Sequence, residues 1–247
     1  MDATQQSEQV SLIIAIDVGT SNAAAAAYGF SNHHQRSTYL RLGELPTDYF
    51  HFIQFPSHHD TSDQEKSQMA SWSERNDFLW GDEIDQAFHN GNITEPNRRI
   101  ELLKHALDTR DEKRKRQRAV IQGQLDDLAD ECGVVSALDL IRVFCEKLLA
   151  HILYNISFAY GGDVVARAKM DFILSVPALW EFEQREMIIQ AAQKAGIPPP
   201  KLVSEREAAT VFCMHECLMR KPALYDAAIR RIQVGGSRDI IPKTSER

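Results

Sequence analysis

Met170-Asp171-Phe172-Ile173-Leu174-Ser175-Val176-Pro177-Ala178-Leu179-Trp180 opens the most regular part of the chain. Met170 to Val176 reads as a buried strand, and Pro177 closes it. Trp180 to Ala195 reads as a helix, with Met187, Ile188, Ala191, Ala192 and Ala195 on one stripe. Gly196 is its natural stop. Pro198-Pro199-Pro200 then turns the chain into a short strand, Lys201 to Val203. Ser204 with Glu207 forms a capping-box pattern that opens a helix running to about Met219. Strand, helix, strand and helix in this order predict an α/β layered domain.

Upstream, Leu12 to Ile16 is a short apolar run ending at Asp17, which reads as a buried strand. Gly19-Thr20-Ser21-Asn22 is a turn, and Ala23 to Tyr28 returns as a second strand. Alanine is a poor strand former, so that assignment rests on context. Thr38 to Leu42 and Tyr49 to Phe55 are further strands, and Thr61 to Gln68 reads as a loose polar loop. Helices are expected over Ile84 to His89, over Glu95 to Leu107 with Pro96 in the first turn, and over Ala119 to Glu131. Arg110 to Arg118 reads as a charged connection. Ser136-Ala137-Leu138-Asp139 is a capping-box pattern opening a long helix, with Leu138, Ile141, Cys145, Leu148 and Ile152 on one face. No internal repeat is visible.

Ile14-Ala15-Ile16-Asp17-Val18-Gly19-Thr20-Ser21-Asn22 is the first stretch that carries chemistry. Gly19 allows backbone N–H groups to approach phosphate oxygens, and the Thr20 and Ser21 hydroxyls add donors. Asp17 can orient the waters of a magnesium ion, which keeps part of its hydration shell. The same residue types also build a capped tight turn. The pattern is neither a Walker loop nor a dinucleotide GxGxxG.

A second stretch joins it: Ser175-Val176-Pro177-Ala178, then Arg185, then Ser204-Glu205-Arg206-Glu207-Ala208-Ala209. This resembles the first connecting segment of the heat-shock-chaperone ATPases, members of the actin-like ATPase superfamily. In that family a strand ends in V-P-A, a helix ends in A-G, and a strand leads into E-x-x-A-A. The hairpin Asp17 to Asn22 resembles the family's first phosphate loop. Gly81-Asp82-Glu83, after Phe78-Leu79-Trp80, is similar to its G-D-x-A element. The resemblance covers roughly residues 11 to 217 in the family's order. Leu102-Leu103-Lys104-His105-Ala106-Leu107-Asp108 and the polar loops fit the divergent, fungal-type branch.

The resemblance implies a ribonuclease-H-like, actin-type ATPase lobe, the first lobe only, over 11–219, with an inserted helical subdomain. It leaves a disordered start over 1–10 and a divergent tail over 220–247 that reads as polar with a short helix, Ala223 to Ile232. It implies ATP and Mg2+ as ligands. Asp17 would sit near the magnesium, acting through water, and near the attacking water. Gly19, Thr20, Ser21 and Asn22 would surround the β- and γ-phosphates. Lys104 would reach the transferred phosphate, and Glu205 would help hold the water and metal shell. Pro177 and Arg185 would couple nucleotide state to domain movement. Each has a plainer reading: an exposed helix lysine, a first-turn carboxylate, a strand terminator, a surface arginine.

Length and composition suit a folded domain: 247 residues, 43% hydrophobic and 26% charged, with a formal net charge of -7. The negative balance argues against nucleic acid as a partner, the run Lys113 to Arg118 notwithstanding. No signal peptide or membrane-length apolar stretch is visible, so a cytoplasmic protein with no membrane partner is expected. Cys132, Cys145, Cys213 and Cys217 show no disulfide or CxxC spacing, and Cys213 with Cys217 reads as a buried, reduced pair. His33-His34 and His58-His59 have no evident third ligand.

The family closes its cleft with a second, glycine-rich phosphate loop, and Lys221 to Arg247 holds Gly235-Gly236 but no D-x-G-G-G-T pattern. The chain is therefore expected to be a truncated, chaperone-like ATP-binding protein with weak or no ATPase activity. A protein partner covering the open lobe face is expected with it. A non-catalytic interaction scaffold is the alternative. A small-metabolite kinase relative is a further one, because the D-x-G-T hairpin is shared across the superfamily.

Overall fold

The computed structural model describes residues 10–30, 50–56, 61–72, 77–108 and 112–220. The strand expected over 38–42 and the tail from 221 onward lie outside the described residues. The fold is mixed α/β. In chain order the strands begin with β1 (Ser11–Val18), β2 (Asn22–Phe30), β3 (Phe50–Phe52), β4 (Phe55–Pro56), β5 (Thr61–Ser62) and β6 (Glu65–Lys66). After these come β7 (Gln68–Trp72), β8 (Asp77–Trp80) and β9 (Arg99–Glu101), and finally β10 (Lys169–Val176) and β11 (Lys201–Ser204). Helices α1 (Asp82–His89), α2 (Leu103–Leu107) and α3 (Lys115–Cys132) precede the long α4 (Ala137–Tyr160). Then follow α5 (Gly162–Arg167), α6 (Phe182–Lys194) and α7 (Glu205–Arg220). Two compact units divide the chain, Met1–Glu205 and Arg206–Arg247. The sheet and its packing belong to the first, and 206–220 of α7 is the described part of the second.

The main sheet has the order β11-β10-β1-β2-β3, with β6 pairing to β2 beside it. β1 pairs antiparallel with β2 and parallel with β10, and β10 is parallel to β11. Register explains how an alanine-rich strand survives here. Ile14 lies between Ala27 and Phe172, and Ile16 between Ala25 and Leu174, all buried. Side chains that alternate on a strand share a face across the sheet, so these rows form one apolar surface. The small residues of β2 sit beside large neighbours on β1 and β10, and burial outweighs their weak strand preference. On the opposite face Ala15 and Asp17 are exposed, and Ser175 is half-buried.

Helix α4 starts where Ser136 caps it: the Ser136 hydroxyl accepts from the Asp139 backbone N–H at 3.2 Å. Leu140, Ile141, Phe144, Cys145, Leu148, Ile152 and Ile156 are buried along one stripe. Full burial pushes the Cys145 thiol up to about 12, so it stays protonated and packs as an apolar group. Gly161, at φ 90, ends the helix in a conformation that a side chain would resist. Glu181 and Gln184 form a reciprocal capping box for α6, and Gly196, at φ 88, closes it as expected. Trp180, read as the first helical residue, instead lies in the turn before it.

Four further expectations fail. Arg110 to Arg118 is not simply a connection: a 3-10 turn covers Glu112–Arg114 and α3 begins at Lys115. Thr61 to Gln68 is not a loose loop: it supplies β5, β6 and the first residue of β7. Glu95 to Leu107 is not one helix. A 3-10 turn over Pro96–Arg98 leads into β9, which pairs with β7 before α2 begins. Ile100, between charged Arg99 and Glu101, is fully buried against the core, and that alternation is a strand's period. Cys213 is exposed rather than buried. A small second core of Ala70, Leu79, Ile84, Ala87 and Ile93 joins β7, β8 and α1. Among the described residues no helix is long and apolar enough to cross a membrane.

Two substitutions on α4 test this packing. Phe144→Ala is expected to lower stability in denaturant unfolding by about 3–5 kcal/mol. Tyr154→Ala, at an exposed position, should stay within about 0.5 kcal/mol. Equal losses at the two positions would show that α4 docks by a different face.

Candidate functional site

Parallel pairing sends β1, β10 and β11 to a common carboxyl edge, the place where open α/β sheets gather ligand-binding groups. Asp17 stands opposite Ser175, and Val176 opposite Ser204. Glu205 follows Ser204 directly and opens α7. The Ser175 hydroxyl donates to Asp17 Oδ1. The two carboxylates therefore meet at one edge although 188 positions separate them in sequence (205 less 17).

Lys104 reaches the same edge from elsewhere. Leu102 takes the left-handed conformation, φ 58 and ψ 41, between β9 and α2. An L-residue holds that conformation against a steric penalty of roughly 1–2 kcal/mol, so the surrounding packing must impose it. The bend lets Leu103 and Leu107 plug the main core, with both fully buried. The His105 backbone N–H donates to the Leu102 carbonyl at 2.8 Å, closing the first turn. Lys104 is carried inward with them and is only 3% exposed.

Its ammonium is not left alone. Lys104 Nζ donates to Glu205 Oε1 at 2.7 Å and lies 3.9 Å from Asp17 Oδ1. Nζ also sits 5.9 Å from the centre of the Trp180 ring, at the long end of a cation–π contact. A buried ammonium loses several kcal/mol of hydration, and nearby carboxylates plus an aromatic face offset that loss. Two carboxylates against one ammonium leave the cluster with a formal charge of about −1. A polyanion is therefore repelled unless it brings a cation, and Asp17, about half exposed, is open to one.

The turn after Asp17 is tight. A Cβ on Gly19 would run into the Asn22 carbonyl, so the position requires glycine. Thr20 is half-buried, while Ser21 and Asn22 are exposed. From the far side the Ser67 backbone N–H donates to the Ser21 carbonyl at 2.8 Å, and Asn22 pairs with Lys66. Pro177 and Arg185 are joined through one residue. The Trp180 N–H donates to the Pro177 carbonyl and Arg185 Nε donates to the Trp180 carbonyl, both at 3.0 Å.

The structure thus brings Asp17, Lys104 and Glu205 together beside the Gly19–Asn22 turn, and Lys104 is not an exposed helix lysine. Sequence reasoning missed Ser175 and Trp180 as neighbours of this cluster. Ser175 sits in the strand that decided the fold, but its partner emerges only once β1 and β10 are in register. Trp180 was hidden by its helix assignment. No family model matches the chain, and no curated protein matches it.

The Lys104–Glu205 bond should be measurable as a coupling. Glu205→Gln is expected to lower stability by about 1–2 kcal/mol, the range for a charge-assisted bond discounted for a half-exposed partner. In Lys104→Met the same change should cost clearly less, as read by a double-mutant cycle in urea. Additive losses would mean that the two groups do not interact in solution.

Proposed function

We propose that this chain is a chaperone-like ATP-binding protein built on the first lobe of an actin-type, ribonuclease-H-like ATPase fold with an inserted helical subdomain. One observation carries the reading. Lys104, Asp17 and Glu205, from three distant segments, converge at a single sheet edge with Nζ 2.7 Å from Glu205 and 3.9 Å from Asp17. The resemblance gives these three residues one site, and a nearly buried lysine set between two carboxylates supports that reading.

In this reading the Gly19–Asn22 turn receives the β- and γ-phosphates, with the Thr20 and Ser21 hydroxyls as added donors. Asp17 would hold a magnesium ion through water, and the ion would supply the positive charge that the net-negative cluster lacks for phosphate. Ser175 fixes the Asp17 carboxylate by its hydrogen bond. Lys104 would donate to a phosphate oxygen, and Glu205 would help hold the water and metal shell. Orientation and preorganised charge from both walls of a cleft supply most of the rate, so the Asp17–Asn22 wall by itself is expected to bind weakly and to turn over negligibly.

A non-catalytic interaction scaffold is the second reading. It is favoured by Tyr154 and Phe158, which lie one turn apart on α4 and are 73% and 89% exposed. Stoichiometric partner binding unaffected by ATP would select it.

Thermal unfolding with Mg-ATP separates these readings. A ligand at ten times its Kd stabilises the native state by about 1.4 kcal/mol, which for a chain of this size raises Tm by roughly 3–6 °C. The rise is expected at millimolar Mg-ATP and should disappear in Asp17→Ala. A cooperative transition unmoved by about 10 mM Mg-ATP, roughly ten times a millimolar Kd, or moved equally in Asp17→Ala, would overturn the nucleotide reading.

A further inference from the structure

Glu65 is 4% exposed, although it sits in a polar stretch on a strand of two residues. Its carboxylate fills the space beneath Gly81. A Cβ at Gly81 would collide with Glu65 Oε1, and Gly81 itself adopts φ +58. Oε1 accepts from the Asp82 backbone N–H at 2.7 Å, at the start of α1, and from the Lys66 backbone N–H at 3.0 Å. Neighbouring residues lengthen this junction. Gln68 Nε2 donates to the Gly81 carbonyl at 2.9 Å, and the Gly81 N–H returns to the Gln68 carbonyl at 3.2 Å.

The same short strand supports the turn at the candidate site. Glu65 pairs with Ala23 and Lys66 with Asn22, and the Ser67 N–H holds the Ser21 carbonyl. Glu65 therefore stands between the Asp17–Asn22 hairpin and the first turn of α1.

We propose that Glu65 is a proton-operated latch: while neutral it keeps its buried seat with no cation beside it and joins β6, and with it the hairpin, to Gly81–Asp82, whereas ionisation strengthens its two N–H bonds but costs more in desolvation, so the seat opens. The proposal concerns the hairpin whatever it binds, and it stands or falls independently of the nucleotide reading.

The charges around Glu65 give the direction. On its own strand the Lys66 ammonium is turned to α1, 2.9 Å from Asp82 and bonded to Asp85. Arg99 of β9 is held by Asp85 at 2.6 Å. From α1, the negative charges of Asp82 and Glu83 oppose ionisation of Glu65. The paired residues of β2, Asn22 and Ala23, and Gln68 of β7 carry no charge. Burial is the largest influence, and it outweighs the two backbone N–H bonds that favour the carboxylate. Together these push the Glu65 carboxyl from 4.5 up to about 7.

Because the folded value lies above the unfolded one, the folded state binds the proton more tightly. The stabilisation from the neutral form is full below pH 4.5 and is lost as pH rises through about 7. Between pH 5.5 and 8 the folding equilibrium constant should fall about 30-fold from this group alone.

The test compares the wild-type chain with Glu65→Gln, which keeps the shape and an acceptor oxygen but cannot ionise. Urea unfolding at pH 5.5, 7 and 8 should show the ratio of wild-type to variant folding constants dropping about 30-fold across the series. Parallel pH dependence of the two proteins would overturn the proposal. Amide exchange, corrected for its intrinsic pH dependence, tests the reach of the latch. Protection of Asp82 and Ser67 should fall together between pH 6 and 8 in wild type and stay level in the variant. A response at Asp82 with none at Ser67 would sever the latch from the hairpin. Should Glu65→Gln not fold, carboxyl-carbon NMR of the wild-type chain reads the Glu65 titration directly, and a midpoint near 4.5 would end the idea.

Discussion

A lysine ammonium held almost entirely out of water sets the terms for the rest of this structure. Lys104 can stay there charged only if negative groups come to it, and those groups lie on the ends of β1 and β11. Parallel pairing through β10 brings both ends to one edge, and the apolar rows of β1, β2 and β10 hold that pairing in register. The left-handed bend at Leu102 aims the lysine inward, and the turn after Pro177 lays the Trp180 ring against it. Each of these features makes little sense without the others. A left-handed leucine and a buried lysine are both unfavourable alone, and strain of this kind persists where the surroundings over-determine it.

Two buried ionisable groups flank the same hairpin and solve the burial problem differently. Lys104 is compensated by opposite charge. Glu65 has its neighbouring cation drawn away to Asp82 and Asp85, and backbone N–H groups are its bonded partners. The first arrangement fixes a charge at the carboxyl edge of the sheet. The second leaves a carboxyl poised between two protonation states close to neutral pH, at a junction made of one short strand and one glycine. The hairpin that starts at Asp17 thus has a charged cluster on one side and a titrating support on the other.

Much of this was legible in the sequence, for reasons that differ from element to element. Strong periodicity and good punctuation marked α4, α6 and β10, since Ser136, Gly196 and Pro177 do locally what such residues do in general. The Asp17 turn was readable because Gly19 has a steric role within four residues. Lys104 and Glu205 are linked in the sequence only through the order of motifs, and nothing local in Leu102 to Asp108 signals a buried ammonium. Segment 61–68 was misread because its strands are anchored by backbone bonds and a buried carboxylate, which hydropathy cannot show. Glu95 to Leu107 was misread because a charged, proline-initiated stretch looks helical until β7 offers Arg99–Glu101 a partner. In both cases tertiary pairing overrode local preference.

The central claim is that the edge formed by Asp17, Lys104 and Glu205, with the turn after Asp17, receives the phosphates of a magnesium-bound nucleotide. The most direct measurement is an NMR titration of the isotope-labelled chain with Mg-ATP, following the backbone amides and the Lys104 ammonium. The account predicts saturable shifts confined to Gly19 through Asn22, Lys104 and the residues around Glu205, with Lys104 the most affected side chain. Shifts centred elsewhere, or a Lys104 signal unmoved while the nucleotide binds, would contradict it.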